Sequence, residues 1–315
     1  VRLLRILKLT AVCVVTLVLL ALVVNRPLAF ALVSKAVGGY QPCPWPQLLR
    51  SPDATVDFAE LRRQFATEIT FVRDDDRLPI QLFRTKGRSF WIRKGGVGFD
   101  ARTTLEYVLA EQACIVKYSG DAIVQPGDVV VDVGAHVGTF DDDALLRGAA
   151  KVILVEPDPI NVECIRRNFS SEIAAGRVIV LPEGAWSSSS TMEFSTGMTN
   201  SGTGSFTDPE KGATKLSVRV RPLDDMLAGL GVERVDFIKM DIEGAEREAL
   251  RGARQTLRRF QPLLLLDNYH RLDDSVVLPK VIRESNPRYQ LLCPFCSPVN
   301  IDGQKSFLPH AIIFQ

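Results

Sequence analysis

Between residues 129 and 270 the chain carries five short apolar runs, each ending at or near acidic side chains. They read VVVDVGAHVG (129–138), KVILVEPDP (151–159), VIVLPEGAW (178–186), VDFIKMDIEGAE (235–246) and PLLLLDNYH (262–270). Runs this uniformly apolar cannot leave one face in water, so each predicts a strand buried on both sides. Helical patterns such as 161–169 and 245–259 lie between them. That alternation predicts a parallel sheet covered by helices on both faces, with ligands held at the carboxyl ends of the strands. After the third strand, 191–195 and 216–220 predict a hairpin, flanked by the hydroxyl- and glycine-rich stretches 187–190 and 199–205. Such an insertion lies over the strand tips, either to bind a polyhydroxylated acceptor or as a plain hairpin tip. Upstream the pattern weakens: 58–67 is faintly helical, and 83–93 alternates enough for one or two strands.

The strand tips carry the chemistry. Asp132 ends the first run and opens a loop with Gly134 and Gly138, spaced D-x-G-x-x-x-G. A buried strand, a glycine loop and a helix N-terminus form the usual cradle of a nucleotide-like cofactor. An aspartate at that place suits a ligand with an ammonium group, as in S-adenosylmethionine (SAM), and repels a pyrophosphate. Glu156, 22 residues after Gly134, sits at the tip of the second strand, where an acid binds both ribose hydroxyls. Asp241, Glu243, Asp267, Asn268 and His270 collect at the tips of the fourth and fifth strands. A nicotinamide-dependent oxidoreductase is a second reading, because Glu156 would serve its ribose too; the absence of G-x-G-x-x-G counts against it.

VVVDVGAHVG, VEPDP, DFIKMDIEGAEREALRGA and the later YHRLDD resemble the FkbM family of SAM-dependent methyltransferases, over roughly residues 120–315. The resemblance implies a class I methyltransferase fold: α/β, with a seven-stranded, mostly parallel sheet whose last strand is antiparallel. Residues 289–293 and 310–314 then read as its two final strands. It also implies O-methylation of a hydroxyl on a sugar, glycan or secondary metabolite. The cofactor-binding set expected on this reading is Asp132, Gly134, Ala135, Gly138, Glu156, Pro157, Glu183 and Gly184. A hydroxyl is a poor nucleophile near neutral pH and needs a base or a Lewis acid. His270 and Asp241 are the catalytic candidates. Asp241, Asp267 and Asn268 are the metal candidates for Mg²⁺ or another divalent cation, by likeness to catechol-type O-methyltransferases. One departure from the family is the Asp141, Asp142, Asp143 triplet. It suits a first helical turn but would crowd a carboxylate-bearing cofactor. A third reading is a membrane-anchored scaffold that has kept the fold and lost catalysis.

Composition adds bounds. The chain has 315 residues, 46% hydrophobic, with net charge +1, which gives no sign of a nucleic-acid partner. Residues 9–24 carry no charge and predict a membrane anchor within a first segment, 1–33. Arg2, Arg5 and Lys8 outnumber Arg26 and would place the domain outside, whereas SAM is held in the cytoplasm. A break at Asn25-Arg26-Pro27 allows a shallow hairpin, and the expectation adopted is a membrane-associated domain facing the cytoplasm. A signal peptide cleaved near Ala29-Phe30-Ala31 is an alternative. Residues 34–100 read as a linker and extension that packs as a lid or platform, and 101–315 as the catalytic domain. Cys293-Pro-Phe-Cys296 has metal or redox spacing but lacks a second pair, so two ordinary cysteines are expected. His136, within the glycine loop, either touches the cofactor or fills the loop. The oligomeric state is not legible.

Overall fold

The computed structural model describes residues 41–50, 54–95, 100–197, 201–208, 212–301 and 304–315, with isolated positions before them. The predicted anchor, 9–24, lies outside the described residues. Among those described, no helix is long and apolar enough to cross a membrane.

The predicted runs form the centre of a seven-stranded sheet. Its strands are β4 (Val129–Val133), β5 (Lys151–Val155), β6 (Val178–Leu181), β10 (Phe237–Met240), β11 (Leu263–Asp267), β12 (Leu291–Leu292) and β15 (Ala311–Phe314). The order across the sheet is β12-β15-β11-β10-β4-β5-β6, and β15 alone runs antiparallel to its neighbours. This is the methyltransferase-like arrangement that the resemblance implied.

Alternate residues of each strand go to opposite faces. Val131, Val133, Ile238, Met240, Leu264 and Leu266 pack under α7 (Leu223–Gly229), α8 (Glu246–Arg251), α9 (Arg254–Arg259) and α10 (Asp274–Ser285). Val130, Val152, Leu154, Phe237 and Leu265 pack under α3 (Ala101–Ser119), α4 (Thr139–Leu146) and α5 (Pro159–Asn168). Asp132, Lys239 and Asp267 share the second face, two residues beyond Val130, Phe237 and Leu265. Parallel register sets Lys239 beside Asp132, so the polar floor of the site follows from strand pairing.

Two predicted elements divide. The run 178–186 is not one strand. Pro182 has no N–H for a ladder, and the chain resumes as β7 (Gly184–Ala185), paired with β9 (Lys215–Arg221) in a separate sheet with β8 (Ser190–Ser195). The helix expected over 245–259 becomes α8 and α9, parted at Gly252. A Cβ there would stand 2.1 Å from the Trp186 carbonyl oxygen, so the chain needs glycine to pass. A hairpin that the pattern did not predict, β13 (Cys296–Ile301) with β14 (Gln304–Pro309), separates the last two sheet strands.

Residues 55–93 hold more structure than expected: α2 (Thr55–Glu68) and a sheet of β1 (Thr70–Asp74), β2 (Ile80–Thr85) and β3 (Arg88–Arg93). Phe65, Phe83, Phe90 and Ile92 share one apolar cluster with Leu105, Leu109, Val137 and Cys164. Asn168 fastens β3 to the glycine loop: it accepts the Trp91 N–H at 2.7 Å and donates to the Val137 carbonyl at 2.9 Å.

At the far edge, Cys43 and Cys293 form a disulfide, where two ordinary cysteines were expected at 293 and 296. Gln47 reinforces it by donating to the Leu291 carbonyl at 3.3 Å and accepting the Cys293 N–H at 2.9 Å. The bridge closes 250 residues of chain. Cross-linking so long a loop stabilises by about 2–4 kcal/mol. Urea unfolding of Cys43→Ser should show that loss, equal to the loss that dithiothreitol causes in the wild type. Identical unfolding midpoints for oxidised, reduced and substituted protein would contradict it. In a reducing compartment both cysteines would be thiols, so alkylation trapping in intact cells reads which compartment holds the domain.

Candidate active site

A cavity of about 370 Å³ lies at the carboxyl ends of β4, β5, β10 and β11. Asp132, Gly134, Ala135, Glu156, Pro157 and Gly184 line it, together with Asp241, Asp267 and Tyr269. Two of the expected cofactor residues do other work. Gly138 begins α4 in the left-handed conformation. Glu183, turned away by the break at Pro182, pairs with Arg221 at 2.5 Å. Gly134, with φ +85°, carries the loop across the end of β10; a Cβ there would lie 1.9 Å from the Asp241 carbonyl oxygen.

Glu156 is buried at the tip of β5. Its Oε2 accepts the His136 N–H at 2.8 Å and its Oε1 accepts the Asp158 N–H at 2.9 Å, with a longer contact from Asn161 at 3.4 Å. A carboxylate has about four acceptor positions, so Glu156 grips the glycine loop and can still receive a ligand hydroxyl. Burial, with help from Asp158, pushes its pKa up to about 8. The insertion closes over this corner. His136 Nε2 meets Ser201 Oγ at 2.6 Å, and Asn161 donates to the Ser201 carbonyl at 3.0 Å. Burial lowers the pKa of His136 to about 4, so its ring is neutral. Ser201, Thr203 and Phe206 of the insertion line the cavity, which bears out its placement over the strand tips.

Lys239 was not foreseen as a site residue. A lysine inside FIKM, an otherwise apolar strand, was the available signal. Its Nζ lies 3.2 Å from Asp132 Oδ1, 3.4 Å from the Gly134 carbonyl and 4.0 Å from Asp241 Oδ2. Burial opposes its charge, but Asp132, Asp241 and Asp267 overcome burial and hold its pKa above the ordinary lysine value. Burial raises Asp132, while Lys239 restrains the rise; Asp132 Oδ2 has no hydrogen-bond partner among the described residues. None of the aspartate triplet lines the cavity. Asp141 is buried against Asp132, and burial, then Asp132, push its carboxyl well above the usual range. Asp142 pairs with Arg88 and Asp143 with Arg147, outside the cavity.

On the other side of the 241–244 turn lies a polar cleft, lined by Thr203, Thr207, Asp208, Glu243, His270 and Arg271 among others. Glu243 borders both spaces. His270 is held by Glu246, another residue that sequence reasoning missed: Nδ1 meets Oε1 at 2.9 Å. Its Nε2 faces Asp241 Oδ1 at 3.6 Å and Glu243 Oε2 at 3.5 Å. Burial opposes the imidazolium, but Glu246, Glu243 and Asp241 hold its pKa well above 6.5. Burial raises Glu243 to about 8, with Asp241 and Glu246 adding to the rise and His270 opposing it. The expected metal set does not come together. Asp241 and Asp267 line the cavity, but Asn268 is buried outside it and donates to the Pro309 carbonyl at 3.4 Å.

Removing Lys239 should leave Asp132 buried without its cation. Loss of one partner of a buried pair costs about 3–5 kcal/mol, so Lys239→Met should unfold at markedly lower urea concentration. A midpoint within experimental error of the wild type would show that the pair carries no such weight.

The methyltransferase FkbM domain matches residues 132–285. The 2-O-methyltransferase NoeI of Sinorhizobium fredii is 24% identical over 200 residues, which cover 57% of this chain and 78% of NoeI. The hexuronic acid methyltransferase AglP of Haloferax volcanii is 30% identical over 134 residues, 42% of this chain and 52% of AglP. Among solved structures, methyltransferase FkbM from Methylobacillus flagellatus KT aligns at TM-score 0.43 and 20% identity, covering 84% of this chain and 61% of its own. Residues 132–285 thus carry a methyltransferase FkbM domain, and the chain is similar to proteins named as methyltransferases.

Proposed function

We propose that the protein transfers the methyl group of SAM to a hydroxyl oxygen of a sugar, glycan or hydroxylated metabolite. The observation that carries this reading is Glu156, buried at the tip of β5 with acceptor capacity toward the cavity. Its carboxylate would take the ribose hydroxyls, and Asp132, at the tip of β4, lines the same cavity. Bound there, SAM supplies a methyl already activated by the sulfonium, and the S–CH₃ electron pair returns to sulfur as the acceptor oxygen bonds carbon. The chain's own work is alignment and removal of the hydroxyl proton. Asp241, Glu243 and His270, between the cavity and the polar cleft, are the groups placed for that removal.

The cleft, walled by Thr203 and Thr207 with Asp208 and Arg271, is the acceptor's side on this reading. Sugar hydroxyls find donors and acceptors there. The names of NoeI and AglP, for a 2-oxygen and a hexuronic acid, lend support. The nicotinamide reading gives way to the family match. A scaffold that had lost catalysis would bind no SAM.

Ribose hydroxyls donate to the ionised form of Glu156. Losing hydrogen bonds to a charged acceptor costs about 1.5–3 kcal/mol, so Glu156→Ala should weaken SAM roughly ten- to a hundredfold. Because burial sets the Glu156 pKa at about 8, the group carries a proton below that value. Wild-type SAM affinity should therefore fall as pH drops from 8 toward 6, and Glu156→Gln should flatten the profile. Calorimetry that gave unchanged affinity in the folded Glu156→Ala variant would sink the assignment.

A further inference from the structure

We propose that Asp241, Glu243 and His270 form a binding site for one divalent transition-metal cation, at the wall between the cofactor cavity and the polar cleft. The inference rests on the methyl-transfer reading above and specifies how the acceptor hydroxyl is activated. One ligand atom from each of the three residues lies within 4.8 Å of the others. The Nε2 separations of 3.6 Å to Asp241 and 3.5 Å to Glu243 are long for hydrogen bonds. They match the edges of a polyhedron built from metal–ligand bonds of about 2.0–2.2 Å at roughly tetrahedral angles.

The second observation is the histidine itself. Its side chain is only 6% exposed, and Nε2 has no hydrogen-bond partner among the described residues. A buried ring nitrogen aimed between two carboxylates, with nothing bonded to it, is a ligand position. The opposite edge of the ring fixes the tautomer. Nδ1 meets Glu246 at 2.9 Å, so with Nδ1–H donating there, Nε2 is the nitrogen that would give up its proton to a cation. Glu246 is fully buried and anchored, for its Oε1 also accepts the Ile242 N–H at 3.0 Å. A carboxylate behind a histidine ligand orients the ring and raises its basicity. Two carboxylate oxygens and one imidazole make a mixed donor set that suits Mn²⁺, Fe²⁺ or Zn²⁺ more than an all-oxygen ion.

The location gives the cation a task. Asp241 borders the cavity, His270 the cleft, and Glu243 both. A hydroxyl entering from the cleft would meet the open coordination position, and binding there lowers its pKa. The proton then leaves to water in the cleft, and the oxygen becomes the nucleophile. This set replaces the one expected from sequence: Asp241 stays, while Glu243 and His270 take the places of Asp267 and Asn268.

The test is a titration of the metal-free protein with Mn²⁺, following the free ion by electron paramagnetic resonance. One Mn²⁺ per chain should bind below about 100 µM, a range open to three-ligand sites. Asp241→Asn and His270→Ala should each weaken binding at least tenfold, and Glu246→Gln about ten- to a hundredfold, although Glu246 is not a ligand. Calorimetry of SAM on the same variants reports whether they are folded. If wild-type protein binds SAM but leaves Mn²⁺ free up to about 1 mM, the metal is overturned and methyl transfer stands. Equal Mn²⁺ binding by wild type and all three variants would also overturn it. Failure to bind SAM at all would instead strike the proposed function.

Discussion

Lys239 carries its ammonium into the interior at the end of β10, 3.2 Å from Asp132 and within reach of the Gly134 carbonyl. A buried charge needs partners, because burial without them costs several kcal/mol. Strand register supplies them: Lys239 lies beside Asp132 in the β10–β4 ladder, on the face that α3 covers. Asp141 packs behind, its carboxyl pushed well above the usual range by burial and by Asp132. The glycine loop therefore starts from a fixed point, and Gly134 can pass the end of β10 at a distance no side chain would allow.

Outward from that point lie two spaces, the cavity and the cleft. The cavity is ringed by the tips of the first strands and closed by the insertion through Ser201. The cleft is polar and walled by the same insertion on its other side. Ser205 and Thr207 both donate to the Glu243 carbonyl, so the insertion also fixes the turn that separates the spaces. Glu243 adopts φ +52° within that turn, a conformation a bulky residue takes only where its surroundings enforce it. The helix and small sheet of 55–93 brace the glycine loop from behind, through Asn168 and the cluster around Val137.

Much of this was legible in the chain. Buried parallel strands write themselves as continuous apolar runs, so five of the seven sheet strands stand out, and the acids at their ends fall where ligands bind. Asp132, Glu156, Asp241 and His270 were read from position alone. The failures have physical causes. Asn268 follows Asp267 by one residue, and in extended chain neighbouring side chains point to opposite sides. Glu183 lies beyond a proline that ends the strand. Lys239 and Glu246 were missed because their partners, Asp132 and His270, come from elsewhere in the chain. The order in 55–93 showed only faintly, at 58–67 and 83–93, because its core is shared with residues up to 164. The Cys43–Cys293 bridge spans 250 residues, and no local spacing announces such a pair.

The central claim is that the cavity at the strand tips receives the adenosyl group with its ribose on Glu156. A crystal structure with S-adenosylhomocysteine tests it most directly. The account predicts both ribose hydroxyls on the Glu156 carboxylate, the glycine loop at Gly134 against the ligand, and the sulfur turned toward Asp241. An adenosyl group bound elsewhere, or one that leaves Glu156 untouched, would contradict it.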